Sequence, residues 1–410
     1  MSRSLDNLIN DRYDRRILGE GVSISNNSRA TGISNNTMIV GTTGCGKTGS
    51  YLYPTLKELK NESVIISDSK GQLHKMFRSE LRKKGYKVRC ISLINWEKSD
   101  GYNPLSYIRR NKDGSIRYQD VITLSQAIIA NLDKTEPIWE QSAQQIIQFL
   151  IGYTLEALPE EDWNMRTVCK LYHMIAQEDG FDAFEPWCNE NNDSFPAQKL
   201  LAIKANAIAE KMIASVYGFV NVALTPFEMP ESKYIFESKR NVDLRELGSS
   251  KCALFIEVSD TDHTFDSVQS IIFTQCMQVL FQEADANPDG RLKVPVSMIM
   301  DDFAASINIP DFDRLIAVTR SRDISISIIL QSLAQLDVLY DEHRATSITD
   351  NCDVILYMGA QNMKTAEIIG IRTNQSQGAV LSMPRDKEIV LITGQKPRLI
   401  DKIKPYQYKL

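Results

Sequence analysis

The eight residues Gly41-Thr42-Thr43-Gly44-Cys45-Gly46-Lys47-Thr48 match the phosphate-loop pattern G-x-x-x-x-G-K-[ST] at every fixed position. Such a loop forms only where successive backbone N–H groups converge on phosphate oxygens, which glycine permits by lacking a Cβ. The spacing assigns Thr43, Gly44, Cys45, Gly46, Lys47, Thr48 and Gly49 to the phosphate cradle. Lys47 reaches the β/γ-phosphates, and the Thr48 hydroxyl is a Mg²⁺ ligand. The loop must join a strand to a helix whose positive end faces the anion. Thr37-Met38-Ile39-Val40 reads as that strand and Gly49–Leu59 as that helix, with Pro54 inside it as a cause of kinking or shortening.

The 410 residues, 43% hydrophobic and 24% charged, allow a large core and two or three domains. A net charge of −5 argues against a uniformly basic surface but leaves room for a basic channel. The seven cysteines are scattered without a C-x-x-C pair. Cys169 and His173 share a helix face but lack a second ligand pair, so the cysteines read as those of a reduced cytoplasmic protein and not as a zinc site. No apolar run reaches bilayer-spanning length, and Ile146–Leu158 reads as a core helix.

Residues 1–35 are polar and read as an N-terminal arm, extended or leading into a β-turn. Short β-branched runs then alternate with helical periodicity, as in an α/β fold with a mainly parallel sheet. The strand runs are Ser63–Ser67, Val88–Leu93, Ala253–Val258, Val296–Met300, Ile324–Leu330, Val354–Met358 and Glu388–Ile392. Residues 121–221 show only helical periodicity, with helices expected over Met165–Gln177 and Phe195–Tyr217. They read as an all-α domain inserted into an α/β domain made of 36–120 and 222–410.

Three strand ends carry chemistry. Val296–Met300 runs into Asp301-Asp302, which places Asp301 beside the Mg²⁺ held by Thr48 and Asp302 where a base polarises the attacking water. Asp is one methylene shorter than the Glu often found there, so hydrolysis is expected to be slow or assisted. The alternative for both is helix capping. Ile326–Leu330 ends at Gln331, an amide able to hold water or sense the γ-phosphate, or to cap the next helix. Arg320 precedes that strand, either as surface charge or directed at a neighbour's γ-phosphate. Lys70, in the turn Asp68-Ser69-Lys70-Gly71, faces a phosphate of nucleotide or DNA, or simply closes a turn.

With these motifs in hand, the chain resembles the TraG/TraD-type coupling ATPases of conjugative type IV secretion. The resemblance rests on Ile39–Thr48, Val64–Gln72, Tyr102-Asn103-Pro104-Leu105, Ile138–Ala143, Val242–Phe255, Met300–Ala304, Arg320 and Leu330–Leu336. It implies a RecA-like P-loop NTPase that binds ATP with Mg²⁺, assembles as a homo-hexamer, binds DNA (single-stranded, without sequence preference), and hands relaxase-bound DNA of the relaxosome to other type IV secretion components. It implies that the all-α insert recognises relaxosome proteins, and that Lys47, Asp302, Gln331 and Arg320 are catalytic, Arg320 toward the adjacent subunit. Lys70 and the region around Lys251 are candidates for DNA-contacting loops. Three departures stand out. Family members usually carry transmembrane helices ahead of the motor, which implies a cytoplasmic chain at the inner face of the membrane, held by partners or by a missing anchor. The usual Asp-Glu pair is Asp301-Asp302, and Gln72 stands where Glu is common. A nucleotide-gated docking adaptor with weak ATPase activity, or another FtsK/HerA-like DNA translocase, are the rival readings.

Overall fold

Alternate residues of the loop-bearing strand are buried on opposite faces, and that places it inside a sheet covered on both sides. The computed structural model describes residues 12–129, 137–177, 180–205 and 210–405. In it β3 (Thr37–Val40) sends Met38 and Val40 into one hydrophobic cluster and Ile39 into another. The strand belongs to a nine-stranded sheet of order β11-β10-β9-β3-β8-β7-β4-β6-β5. Its other members are β4 (Ser63–Ser69), β5 (Lys87–Ser92), β6 (Cys252–Val258), β7 (Val296–Met300), β8 (Ile324–Leu330), β9 (Val354–Tyr357), β10 (Lys387–Ile392) and β11 (Arg398–Asp401). From β5 to β9 the pairings are parallel, while β10 runs antiparallel to both β9 and β11.

The helix after the loop begins as a π-helical turn, Thr48–Leu52, and continues as α1 (Tyr53–Glu58). Pro54 explains this division. It falls within the first two residues of α1 and has no N–H to donate back into the preceding turn, so the Tyr53 N–H bonds five residues back to the Thr48 carbonyl. After β4 comes α2 (Gln72–Lys83), ended by Gly85 at φ 86°.

Between β5 and β6 the described chain is helical apart from two isolated bridges. The main helices are α3 (Tyr118–Ile129), α4 (Pro137–Ala157), α5 (Met165–Ile175), α6 (Phe195–Ala205) and α7 (Glu210–Glu228). Of the helix expected over Phe195–Tyr217, the described residues Phe195–Ala205 and those from Glu210 onward are helical, and residues 206–209 lie outside the described residues. α4 packs on α3, α6 and α7, and an edge-on aromatic group of Phe149, Tyr153, Phe184 and Trp187 closes one end. α8 (Asp266–Asp285) lies between this block and the sheet and is buried over most of its length.

Within 12–35 the chain is not extended. β1 (Arg15–Gly19) and β2 (Val22–Ser25) form an antiparallel hairpin. The Asp14 carboxylate accepts the backbone N–H groups of Lys60, Asn61 and Glu62, and Arg16 donates to Thr37 Oγ1 at 2.7 Å. Buried polar pairing anchors this segment beside the apolar contacts of Leu18, Val22 and Ile24 with the core. Residues 1–11 of the expected arm lie outside the described residues. No described helix is long and apolar enough to cross a membrane.

Candidate nucleotide-binding site

A cavity of about 410 Å³ opens at the carboxyl ends of β3, β4, β7 and β8. Thr43, Gly44, Gly46, Lys47, Thr48 and Gly49 line one wall, and Asp68, Lys70, Gln72, Asp260, Asp301, Asp302 and Gln331 line the others. The strand order produces this convergence. β8 lies between β3 and β7, so Gln331 emerges between the loop and the two carboxylates. Gly44 and Gly46 hold φ of 78° and 99°, a backbone that side chains with a Cβ adopt at a cost. The Lys47 ammonium donates to the Gly41 carbonyl at 2.6 Å and the Thr42 carbonyl at 3.3 Å, curling over the loop it belongs to.

Asp301 is fixed through its backbone. Its N–H donates to Ser67 Oγ at 2.8 Å, and that hydroxyl donates to the Asp301 carbonyl at 3.1 Å. Burial, followed by the adjacent charge of Asp302, pushes its carboxyl up to about 6, against the opposing pull of Lys47. A hydroxyl and a carboxylate on facing walls are the hard oxygen donors Mg²⁺ takes, so Thr48 and Asp301 fit that ion. Asp302 sits at φ 49°, ψ 39°, ahead of the short helix Phe303–Ser306, and its N–H donates to Asp301 Oδ1 at 3.1 Å. Aspartate tolerates this left-handed backbone better than a longer carboxylate does.

The other predicted residues are placed differently. Arg320 is outside the cavity. It precedes the amino end of β8, a strand's length of roughly 20 Å from Gln331, and donates to the Gly32 carbonyl at 2.8 Å. Cys45, alone of the seven cradle residues, does not line the cavity: its N–H bonds within the loop to Thr42, and its carbonyl accepts from Lys402 at 2.9 Å. Lys70, at φ 75°, lines the cavity and pairs with Asp260 at 2.7 Å. Lys251 does not form a loop over this site. It donates to the Lys60 and Lys84 carbonyls at 3.3 Å, beside the amino ends of β4 and β6. Cys169 and His173 do not converge on a metal site: the thiol lies against the Leu224 carbonyl and His173 pairs with Glu228 at 2.6 Å.

Several contributors escape a reading of motifs. Asp68 accepts the N–H groups of Leu73 and His74, anchoring the start of α2, while burial pushes its carboxyl up to about 6. Gln335 accepts the Gln331 N–H at 2.9 Å and so orients the end of β8. Next to the cavity, Glu257 bonds His74 at 2.8 Å and Ser92 at 2.5 Å, with Cys90 close by. The contacts of Asp68 and Gln335 are local, within segments whose motifs were noted for other residues, whereas those of Glu257 join distant elements and leave no sign in sequence spacing.

Residues 7–376 match the family model described as type IV secretory system conjugative DNA transfer. The chain belongs to this family. No curated protein matches this conjugative-transfer chain in sequence. Among solved structures it is similar to the bacterial conjugative coupling protein TrwBdeltaN70 in complex with sulphate, with a TM-score of 0.69 and 13% identity over 90% of this chain and 85% of that one. The plasmid coupling protein TrwB in complex with ADP and Mg²⁺ gives a TM-score of 0.66 and 14% identity, covering 90% and 86%. VirB4 of Thermoanaerobacter pseudethanolicus gives 0.55 and 16%, covering 91% of each chain. These likenesses establish the RecA-like P-loop fold for this family member.

Proposed function

We propose that the chain is the ATP-driven coupling motor of a conjugative DNA transfer system. One observation carries this reading: a single cavity gathers the phosphate loop, Lys47, Thr48, Asp301, Asp302 and Gln331. In this reading the loop amides and Lys47 grip the triphosphate, and Thr48 and Asp301 hold Mg²⁺. Bound Mg²⁺ offsets negative charge on the phosphate oxygens. Asp302 orients the attacking water and accepts its proton, and Gln331 responds to the γ-phosphate. TrwB has been solved with ADP and Mg²⁺ and with non-hydrolysable ATP and GTP analogues, which supports a nucleoside triphosphate as ligand here.

Arg320 lies too far from its own cavity to act there, which favours action on a neighbouring subunit in a ring. The ring is a homo-hexamer gripping DNA by its backbone charge, single-stranded and without sequence preference. The helical block over 121–221 docks relaxase or relaxosome proteins, within an architecture of N-terminal segment 1–35, motor 36–120 and 222–410, and insert. Other type IV secretion components hold the assembly at the inner face of the membrane. The test is turnover of ATP against protein concentration, with and without single-stranded DNA, beside DNA transfer in cells. The motor reading expects DNA-stimulated turnover that rises cooperatively, and loss of both turnover and transfer in Lys47→Ala. Transfer at the normal rate by that variant overturns it.

The short, left-handed Asp302 favours one rival, a nucleotide-gated docking adaptor with weak turnover. Tight binding of relaxosome proteins without DNA-stimulated hydrolysis is its signature.

A further inference from the structure

The phosphate loop is held from outside the motif by the chain's last described residues. Lys402 follows β11 and is only 7% exposed. Its ammonium donates three hydrogen bonds, to the carbonyls of Cys45 at 2.9 Å, Met358 at 2.8 Å and Arg385 at 2.8 Å. Met358 is itself tied to the loop-bearing strand, its N–H donating to the Val40 carbonyl at 2.8 Å, and the next residue, Gly359, accepts the Thr42 N–H at 2.9 Å. Two further contacts continue the seam. Ser50 Oγ donates to the Ile403 carbonyl at 2.9 Å. Gly49 packs so close to Pro405 that an added Cβ would lie 2.4 Å from its Cγ.

A lysine taken out of water needs donors satisfied and charge balanced. Three carbonyls satisfy all three N–H groups. The buried Glu388 carboxyl lies nearby, but burial pushes it up to about 8. At neutral pH it is therefore mostly protonated, and the three carbonyl dipoles carry most of the balance. Such an arrangement is costly to build at a site of no consequence. Here it fixes Cys45, the one cradle residue that does not line the cavity and whose two neighbours, Gly44 and Gly46, hold the loop's left-handed backbone.

We infer that Lys402 is a positioning residue for the nucleotide site and that the strap 402–405 holds the phosphate loop in its binding shape. The inference rests on the reading of residues 41–49 as a nucleotide site. Its test compares binding of a fluorescent ATP analogue with Mg²⁺, and ATP turnover, in the wild-type chain, Lys402→Met and Ser50→Ala. Loss of a charged donor to the loop is expected to weaken binding about tenfold in Lys402→Met. KM rises in step, while the rate at saturation falls far less. A merely destabilised protein does the reverse, losing active fraction and hence kcat at unchanged KM. Should Lys402→Met not fold, Ser50→Ala removes only the bond to Ile403 and is expected to weaken binding about threefold. Binding by wild type with unchanged affinity in the folded Lys402→Met, or in Ser50→Ala where that variant stands in for it, overturns the strap. Failure of the wild type itself to bind overturns the site reading, and the strap with it.

Discussion

Asp302 and Asp301 differ in what a small change should do to each. Asn at position 302 keeps the left-handed backbone and the side chain's size but removes the proposed base. Asp302→Asn is therefore expected to lower the hydrolysis rate by about 10²-fold or more while nucleotide affinity holds, as measured by steady-state kinetics beside equilibrium binding. In the proposed site Asp301 would ligate Mg²⁺ only when ionised, and its carboxyl is pushed up to about 6. Mg²⁺-dependent nucleotide binding is thus expected to weaken as pH falls through 6, and titration by calorimetry at several pH values reads this directly. Asp301→Asn should flatten that profile.

At the scale of elements, the turn from β3 into α1 is held between Pro54 on one side and Pro405 on the other. Gly49→Ala places a methyl against the Pro405 ring and is expected to cost about 1–3 kcal/mol of stability, recovered when Pro405 is changed to Gly in the same chain. Denaturant unfolding of the single and double variants checks this. The strands that form the site were legible because both their faces are buried. Val296–Met300 and Ile324–Leu330 are mainly apolar runs, interrupted only by Ser297, Ser325 and Ser327, and the structure begins and ends them at those residues. β11 and the β1–β2 hairpin lacked such a signal. Arg398–Asp401 is an exposed edge strand, and the hairpin is short and polar, with only Leu18, Val22 and Ile24 facing the core and Asp14 and Arg16 anchoring it by hydrogen bonds. The pair Asp301-Asp302 and Gln331 could be found because they stand at the ends of buried strands. Lys402 could not, since the loop carbonyl it serves lies 357 residues away in the chain.

For the whole molecule, buried acids set the response to pH. Burial raises Asp68 and Asp301 to about 6, Glu62 to about 7 and Glu388 to about 8. Each binds a proton more tightly folded than unfolded, so the stability linked to it is present below the unfolded pKa near 4 and is lost as pH rises through its folded value. The nucleotide-free protein is expected to melt at progressively lower temperature from pH 5 to pH 8.5 in a calorimetric scan, with Mg²⁺ and nucleotide restoring part of the loss through Asp301. Ring assembly carries its own expectation. Lys47→Ala retains Arg320 but lacks phosphate grip, and Arg320→Ala has the opposite defect. Each alone should be inactive, and mixed rings should regain partial turnover if the arginine serves a neighbour.

Six of the seven cysteines are buried, and the half-buried Cys45 is the exception. Nature has therefore left one partly exposed thiol within the phosphate loop, outside the lining of the cavity. A small maleimide should modify the native protein once, and saturating nucleotide should slow that reaction, so that mass spectrometry could follow occupancy of each subunit without any engineered label.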